Sequence, residues 1–359
     1  MTILIKPADL RAFAAQLMIG AGAAQHEADL VAESLVASNL CGHDSHGVMR
    51  VLEYSVQMRD KALIPHAELK TLMETAAAFA GDAQFGFGQV QMSRCIDLLI
   101  PKAERQGIAC GTLRNCGHLG RLGEWAEKVA ERGCAVWLTV NDNGVLRCVA
   151  PPGGKEPRVS TNPVGIAVST SEGPLVLDFS TSVVANGKVR VKMLAGEQCP
   201  PGWLLDSEGR PTTDPHVRFT DPRGTILPLG GDQSFKGFGF SLLLDMLIGG
   251  LSGGYCPPAP ADARLSNNVL MVVWDPRRWA GTEHFLGEVD KLIASVRETP
   301  RVAGVDVIRL PGDRSRSLRD EREQQGVPLD EGTWNALSRL AGRFKVSVPA
   351  PLNEETDHA

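Results

Sequence analysis

Residues 107–140 constrain the fold more than any other stretch, because their hydrophobic pattern changes period twice. Ile108 to Leu113 is an apolar run, the apolar residues from 122 to 130 recur at helical spacing, and Ala135 to Val140 is a second apolar run. Short apolar runs bounded by glycines are typical of buried strands, and the segment between them is typical of an amphipathic helix. Similar runs predict further strands at Val164–Ser169, Leu175–Phe179, Val269–Trp274 and Val307–Leu310. The middle of the chain is therefore predicted to be of mixed α/β type.

Both ends of the chain show helical spacing instead. The apolar residues of 10–18 follow Pro7 at helical offsets, and those of 28–36 repeat the pattern up to Gly42. Asp44 can cap a third helix. The last 45 residues are charged and also have a helical pattern. We expect an N-terminal helical part (1–75), a central α/β part (76–280) and a C-terminal part (281–359) that packs with the N-terminal helices.

Composition and charge narrow the class of protein. Hydrophobic residues make up 43% of the 359, enough to bury a core, and the formal net charge is −5. No long basic run is present, so nucleic acid is not an expected partner. The apolar run from Phe238 to Leu251 is too short to span a bilayer, and the N-terminus lacks a signal-peptide pattern. Eight scattered cysteines without a Cys-x-x-Cys motif indicate reduced thiols, so we expect a cytoplasmic protein without a membrane partner.

The stretch CGHDSHGVMR, residues 41–50, concentrates reactive side chains and admits three interpretations. A metal site is poorly supported, because His43, Asp44 and His46 have no second ligand cluster at zinc-like spacing, and no metal is expected. An activated serine is weaker still. Neighbouring residues on a helix do not face each other, so His46 is not expected to serve Ser45, and the chain has no Gly-x-Ser-x-Gly elbow.

The third interpretation is the wall of a pocket for an anionic substrate. If a helix begins near Ser45, His46 and Arg50 share one face and Tyr54 continues that face one turn later. The arginine then offers a planar fork to a carboxylate. The plain alternative is an exposed Arg50 that pairs with Glu53 three residues on.

The segment Arg114–Gly123, RNCGHLGRLG, joins the first predicted central strand to its helix. It carries three glycines at a spacing of three, and Asp142 follows the next strand, which nearly imitates a dinucleotide-binding fingerprint. It is not one, because the first spacing is Gly-x-x-Gly and a histidine lies inside the turn. His118, at the mouth of this turn, can exchange a proton with a hydroxyl near neutral pH. Its plain alternative is a structural histidine.

Polar residues that suit a phosphate or a ribose follow several other predicted elements. They occupy the stretches 161–163, 178–182 and 186–188, the helix start at Lys236, and residues 311–314 after the last predicted strand. The same residue types are equally suited to turns and helix caps, so both interpretations stay open.

Taken together and in this order, these motifs resemble the malate/L-lactate dehydrogenase-like family of NAD(P)-dependent oxidoreductases. That family includes ureidoglycolate, sulfolactate and diketogulonate enzymes and a cyclic-imine reductase, and GHLGRLGEWAE is most similar to the branch acting on 2-hydroxycarboxylates. The resemblance covers nearly the whole chain. Its strongest pieces are DSHGVMRVLEY (44–54), RNCGHLGRLGEWAE (114–127), TNPVGIAV (161–168), LDFSTSVVANGKV (177–189), PPGWLLDSEGRPTTDP (200–215), KGFGFSLLLDMLIGGLSGG (236–254) and LPGDRSRSLRDEREQQGVPLD (310–330).

The resemblance implies a non-Rossmann NAD(P)-binding domain with a largely antiparallel sheet and a helical domain formed by both chain ends. It also implies a homodimer with the active site at the subunit interface. His118 matches the acid/base histidine, and Ser45, His46 and Arg50 match the substrate-side motif. Tyr54, on the same predicted helix face, is assigned to that pocket. The positions where the family binds the cofactor are Asn141, Asp142, Thr161, Asp178, Phe179, Ser180, Lys236, Pro311, Gly312 and Asp313.

The implied reaction is hydride transfer between the nicotinamide and a small 2-hydroxy or 2-oxo carboxylic acid of the malate or lactate type. Reduction of a cyclic imine carboxylate or a keto-sugar acid is the near alternative. A non-catalytic nicotinamide-binding protein and a metal hydrolase are alternatives of other classes. If Asp142 faces the adenosine ribose, it would bond a free 2′-hydroxyl and repel a 2′-phosphate, which favours NAD over NADP. If it faces the nicotinamide end, NADP is equally acceptable.

Overall fold

The computed structural model describes residues 2–353. Its helices, numbered α1 to α10, are Pro7–Gly20, Gln25–Leu40, Arg50–Arg59, Gly88–Gln106, Leu122–Ala130, Asn186–Leu194, Ser234–Ser252, Thr282–Arg297, Asp313–Gln325 and Glu331–Phe344. Its strands, numbered β1 to β12, are Thr2–Ile5, Lys70–Glu74, Ala78–Asp82, Ile108–Cys116, Ala135–Asn141, Val164–Val168, Leu175–Phe179, Leu204–Leu205, Pro211–Thr212, Thr225–Ile226, Asn267–Trp274 and Val327–Asp330.

A seven-stranded sheet forms the centre of the molecule, in the order β2-β3-β4-β11-β5-β6-β7. Only the β3–β4 pair is parallel, and the other neighbours are antiparallel. Helices α4 and α5 pack on the sheet through a buried cluster that includes Leu99, Trp125 and Met271. The order and the antiparallel pairing differ from a Rossmann sheet, which is parallel. The predicted mixed α/β class with a largely antiparallel sheet is confirmed.

The two ends of the chain build a second buried cluster together. Helices α1, α2 and α3 share this cluster with β12 and α10, and Phe13 of α1 lies 5.8 Å from the Trp334 ring of α10, centroid to centroid. Strand β1 pairs antiparallel with β12, from Thr2 opposite Asp330 to Ile5 opposite Val327. The helical domain formed by both chain ends is therefore present, and the strand pair that ties it together was not predicted.

Two predictions of local structure are wrong. The third helix begins at Arg50 and not near Ser45, because Asp44 does not cap it: the Asp44 carboxylate accepts from Asn39 Nδ2 at 2.8 Å and pairs with Arg322 of α9. Residues Asp44–His46 form a short 3-10 turn instead. Residues 307–310 form no strand, and the Leu310 N–H donates to Asp313 Oδ2 at 2.8 Å, which leads the chain into α9.

Helix α7 is longer than the apolar run from which it was predicted. Together with the 3-10 turn before it, residues 231–252 are long and apolar enough to cross a membrane by length and composition alone, a test that core helices of soluble proteins also pass. One side of α7 packs on β5 and β11 and buries Leu244 and Ile248. The other side exposes large apolar side chains: Phe235, Phe240, Leu243, Met246, Leu247 and Leu251.

We predict that Leu337→Ala lowers the free energy of unfolding by about 2–5 kcal/mol, because the side chain is 1% exposed within the cluster shared by both chain ends. Asn335→Ala, on the exposed side of the same helix, should change it by no more than about 0.5 kcal/mol. Chemical denaturation measures both. Equal, small effects would show that α10 does not share the N-terminal core.

Candidate active site

His118 lies in the turn between β4 and α5, as predicted, and this turn packs directly on the start of α4. A Cβ atom added at Gly88 would lie 2.4 Å from the carbonyl oxygen of His118 and 2.5 Å from that of Gly117. Any side chain at position 88 would therefore displace the turn. The absence of a side chain there lets the helix and the histidine backbone touch.

The His118 ring is held on one edge by two polar groups, and a third supports one of them. The Tyr54 hydroxyl lies 2.9 Å from Nδ1, and the Gly120 backbone N–H donates to the same nitrogen at 3.3 Å. Gln89 Nε2, from α4, donates to the Tyr54 hydroxyl at 3.2 Å. Within residues 2–353 no group hydrogen-bonds Nε2 of His118, so this nitrogen is the one left for a ligand.

His46 stacks on His118, with 5.5 Å between ring centroids and 18° between ring planes. The Ser45 hydroxyl lies 3.1 Å from His46 Nδ1, so the expectation that these two side chains do not meet is wrong. That expectation assumed a helix, and the 3-10 turn brings the neighbours together. Arg50 adjoins them, since its Nε donates to the Ser45 carbonyl at 2.8 Å.

Arg50 and Tyr54 differ in what they offer to a ligand. The plain alternative for Arg50 is present: Nη1 pairs with Glu53 at 2.5 Å. Nε donates to the Ser45 carbonyl, and one N–H of Nη1 is used by Glu53. The two N–H groups of Nη2 and the second N–H of Nη1 therefore remain for a carboxylate. Tyr54 is 1% exposed and its hydroxyl faces His118 rather than an open pocket. The structure thus places Ser45, His46, Arg50 and His118 together, with Tyr54 behind the imidazole.

Both imidazoles are held neutral. Burial, followed by the charge of Arg50, lowers the pKa of His46 to about 3. The same two causes, with a smaller contribution from His46, hold the pKa of His118 well below its usual range. The site is thus a neutral imidazole pair beside a guanidinium, an arrangement that attracts an anion without carrying a second fixed cation.

The predicted cofactor residues Asp178, Pro311 and Gly312 line one cavity of about 120 Å³. Its other lining side chains include three that are basic at the opening of α5 and on α9: Arg121, Arg316 and Arg319. His43, which was assigned no role, also lines it. Asp178 Oδ2 accepts the Gly123 N–H at 2.7 Å, so its carboxylate also caps the start of α5.

Asn141 belongs to a buried polar network around Asp245 of α7, and the next residue, Asp142, is buried beside it. Asn141 Nδ2 donates to Asp245 Oδ1 at 3.0 Å, and Asn162 Nδ2 donates to Asp245 Oδ2 at 2.6 Å. Both carboxylate oxygens of Asp142 are buried, and this burial, reinforced by the charge of Asp245, raises the pKa of Asp142 to about 7. Because neither oxygen reaches solvent, its position adds nothing to the argument for NAD over NADP.

The remaining predicted cofactor residues make structural contacts in the single chain. Thr161 offers its carbonyl to the Thr181 side chain at 2.9 Å, and the Ser180 hydroxyl donates to the Ser182 carbonyl at 3.0 Å. Phe179 packs beside α7, and Lys236 is exposed with its ammonium 5.8 Å from the centroid of the Phe235 ring. Asp313 accepts from Leu310 at the start of α9.

Several residues around the site were not predicted, among them Gln89, Arg121 and Arg319. Arg121 lies inside the quoted motif at 114–123, and its charge in a glycine-rich turn was a usable signal. Gln89 stands in a stretch for which no element was predicted, and Arg319 lies in a charged helix that gives no sign of which side faces a cavity. Among residues 2–353, no group of three or more metal-ligating side chains comes together.

Comparison with known proteins defines the class as a dehydrogenase. A family model described as malate/L-lactate dehydrogenase matches residues 5–338. Hydroxycarboxylate dehydrogenase B of Escherichia coli K12 is 35% identical over 326 residues, with 89% of this chain and 88% of the relative covered. L-lactate dehydrogenase of Cupriavidus necator is 32% identical over 326 residues, with 90% and 92% covered. The chain therefore belongs to the malate/L-lactate dehydrogenase family, and the resemblance carried by its motifs is confirmed.

Two further relatives extend the comparison. Malate dehydrogenase of Pyrococcus horikoshii has a solved structure that matches with a TM-score of 0.87 at 28% identity and covers 97% of each chain. Δ1-Pyrroline-2-carboxylate reductase of Ancylobacter novellus is 28% identical over 354 residues, with 94% of this chain and 97% of the relative covered. The relatives thus include both dehydrogenases of hydroxy acids and a reductase of a cyclic imine.

We predict that the protein loses stability as the pH falls from about 6.5 toward 3. Unfolded histidines take up protons near pH 6.5, whereas folded His46 does so only near pH 3, so the unfolded state binds more protons across this window. His46→Gln should make the decline shallower, by at most about 1.4 kcal/mol per pH unit. Denaturation at several pH values measures this, with the exposed His26→Gln as control. Equal slopes in wild type and His46→Gln would contradict the stated burial of that imidazole.

Proposed function

We propose that the protein catalyses hydride transfer between a nicotinamide cofactor and C2 of a small 2-hydroxy or 2-oxo carboxylic acid. The observation that carries the proposal is the His118 ring, tied at Nδ1 and unengaged at Nε2, next to Arg50 and the stacked His46. The names of the relatives agree with this chemistry, since they act on lactate, malate or other hydroxycarboxylates.

Each residue of the site has its own role in the proposed reaction. Arg50 attracts the substrate carboxylate through the N–H groups that Glu53 and Ser45 leave unengaged. His46 stacks on His118 and forms part of the pocket wall beside Arg50. His118 exchanges a proton with the substrate oxygen at Nε2. Because the free ring is neutral, reduction of a 2-oxo acid needs a second proton, taken up from solvent on Nδ1, and the ring is neutral again once Nε2 has given its proton to the oxygen. Oxidation of the 2-hydroxy acid runs these transfers backward.

The cavity lined by Asp178, Gly312, Arg121 and Arg319 fits part of a dinucleotide. Its Arg316 guanidinium suits phosphate oxygens, whereas Arg121 and Arg319 already pair with Glu127, which lines the same cavity. A volume of about 120 Å³ is too small for a whole dinucleotide, so the rest needs surface outside this cavity. When bound, the nicotinamide supplies or accepts the hydride. We propose NAD as the cofactor, with NADP as the alternative, and the other predicted contacts, from Asn141 to Asp313, remain part of this proposal.

A cyclic imine carboxylate is the second candidate substrate. The pyrroline-carboxylate reductase among the relatives supports it. The same Arg50 would hold the carboxylate, and His118 would face the ring nitrogen. Initial rates with pyruvate-like acids, 2-hydroxy acids and piperideine carboxylate, each with NAD(H) and NADP(H), separate these possibilities.

We predict that His118→Asn lowers turnover by about a hundredfold or more with the best substrate of this panel. Asparagine keeps a polar group but titrates at no relevant pH. Cofactor binding, followed by fluorescence of the reduced nicotinamide, should persist. Unchanged turnover would remove His118 from the acid/base role, and no turnover by the wild type with any acid or imine despite cofactor binding would favour a non-catalytic binding protein.

We also propose a homodimer formed through the exposed side of α7. A helix face with this many exposed large apolar side chains is typical of a subunit interface. We also propose that the protein is cytoplasmic.

We predict that Leu243→Glu converts the dimer to a monomer and reduces turnover, because the side chain is 59% exposed at the centre of that face. Leu292→Glu, on α8 and 64% exposed, should leave the dimer intact. Sedimentation equilibrium measures the mass of each. A dimeric Leu243→Glu protein, or a monomeric wild type, would exclude α7 as the interface.

A further inference from the structure

The Gly120 amide decides which nitrogen of His118 carries the proton. A backbone N–H can only donate, and at 3.3 Å it points to Nδ1. Nδ1 must therefore offer its lone pair, and in a neutral imidazole the single proton then lies on Nε2. Burial and the charge of Arg50 keep the ring neutral, as its lowered pKa shows.

The Tyr54 hydroxyl also donates to His118 Nδ1, as the Gly120 amide does. Gln89 Nε2 donates to its oxygen at 3.2 Å, so the phenolic proton needs an acceptor elsewhere. His118 Nδ1 lies at 2.9 Å, whereas the His118 carbonyl, the other acceptor, lies at 3.5 Å. The shorter contact is the hydrogen bond. Two donors, from α3 and from the turn itself, thus converge on one nitrogen.

We infer that Tyr54 is a positioning residue that, with the Gly120 amide, fixes His118 as the Nε2–H tautomer. This inference rests on the proposed role of His118 and corrects the expectation that Tyr54 contacts the substrate. The tautomer determines which of the two substrates, the 2-oxo acid or the 2-hydroxy acid, the free protein is ready to bind. The free protein presents an N–H to the pocket, so it is ready to receive the carbonyl oxygen of a 2-oxo acid without a prior shift of the ring proton.

The burial of this network favours the assignment. Tyr54 and Gln89 are each 1% exposed, so water cannot replace either hydrogen bond. Burial raises the pKa of Tyr54 to about 12, and the phenol therefore stays protonated and remains a donor. The amide of Gln89 fixes the hydroxyl in turn, which makes a chain of three groups from α4 through α3 to the imidazole.

The test is ¹⁵N NMR of histidine-labelled protein without cofactor. His118 is assigned among the eight histidines by its loss in His118→Gln. In the wild type we expect a protonated Nε2 and an unprotonated Nδ1. In Tyr54→Phe we expect the Nδ1 signal to shift toward a tautomer mixture and the titration midpoint to move upward, because the neutral ring loses a hydrogen bond. Tyr255→Phe, the other tyrosine and 44% exposed, should leave the signals unchanged.

Two outcomes would overturn the inference: a wild-type ring with its proton on Nδ1, or a Tyr54→Phe protein whose His118 signals equal those of the wild type. If Tyr54→Phe does not fold, Gln89→Met releases the hydroxyl without touching the ring, and a smaller shift in the same direction is expected. Kinetics add an independent measure. Tyr54→Phe should lower kcat about tenfold with KM within about twofold, whereas a substrate contact would raise KM. The NMR result needs no turnover, so it can fail or succeed independently of the proposed reaction.

Discussion

The hydrogen bond between Tyr54 and His118 joins the two halves of this molecule. Tyr54 belongs to the helical cluster built by both chain ends, and His118 follows a central strand of the seven-stranded sheet. The start of α4 packs on the same turn, where a Cβ atom at Gly88 would lie 2.4 Å from the His118 carbonyl oxygen. The position of the imidazole is therefore set by the packing of one unit on the other, and the chemistry proposed for the site depends on that packing.

The central elements were predictable because their signals are local. The strand from Ile108, the helix from Leu122 and the strand from Ala135 each contain enough apolar residues at one period to fix their type. The position of His118 in the turn between them followed directly. Strands β1 and β12 were missed for the opposite reason: each has four residues, and their pairing joins segments from opposite ends of the sequence, which no local pattern can reveal.

The proximity of several predicted site residues could be anticipated, but their geometry could not. Ser45, His46 and Arg50 come together as expected, although the helix assumed to align them begins only at Arg50. Tyr54 lies on the predicted helix, but its contact with His118 could not be anticipated, since a pattern shows which side of a helix is polar and not what packs against it. The charge of Asp142 suggested a contact with the cofactor ribose. In the fold both of its carboxylate oxygens are buried, and a sequence does not show such tertiary burial.

The central claim is that Nε2 of His118 faces the reacting oxygen. A crystal structure with reduced cofactor and the unreactive pyruvate analogue oxamate tests it most directly. We expect His118 Nε2 within about 3.2 Å of the oxamate carbonyl oxygen, the oxamate carboxylate on Arg50, and His118 Nδ1 still hydrogen-bonded to Tyr54. A dinucleotide bound away from this turn, or an oxamate whose carbonyl oxygen contacts another side chain, would contradict it.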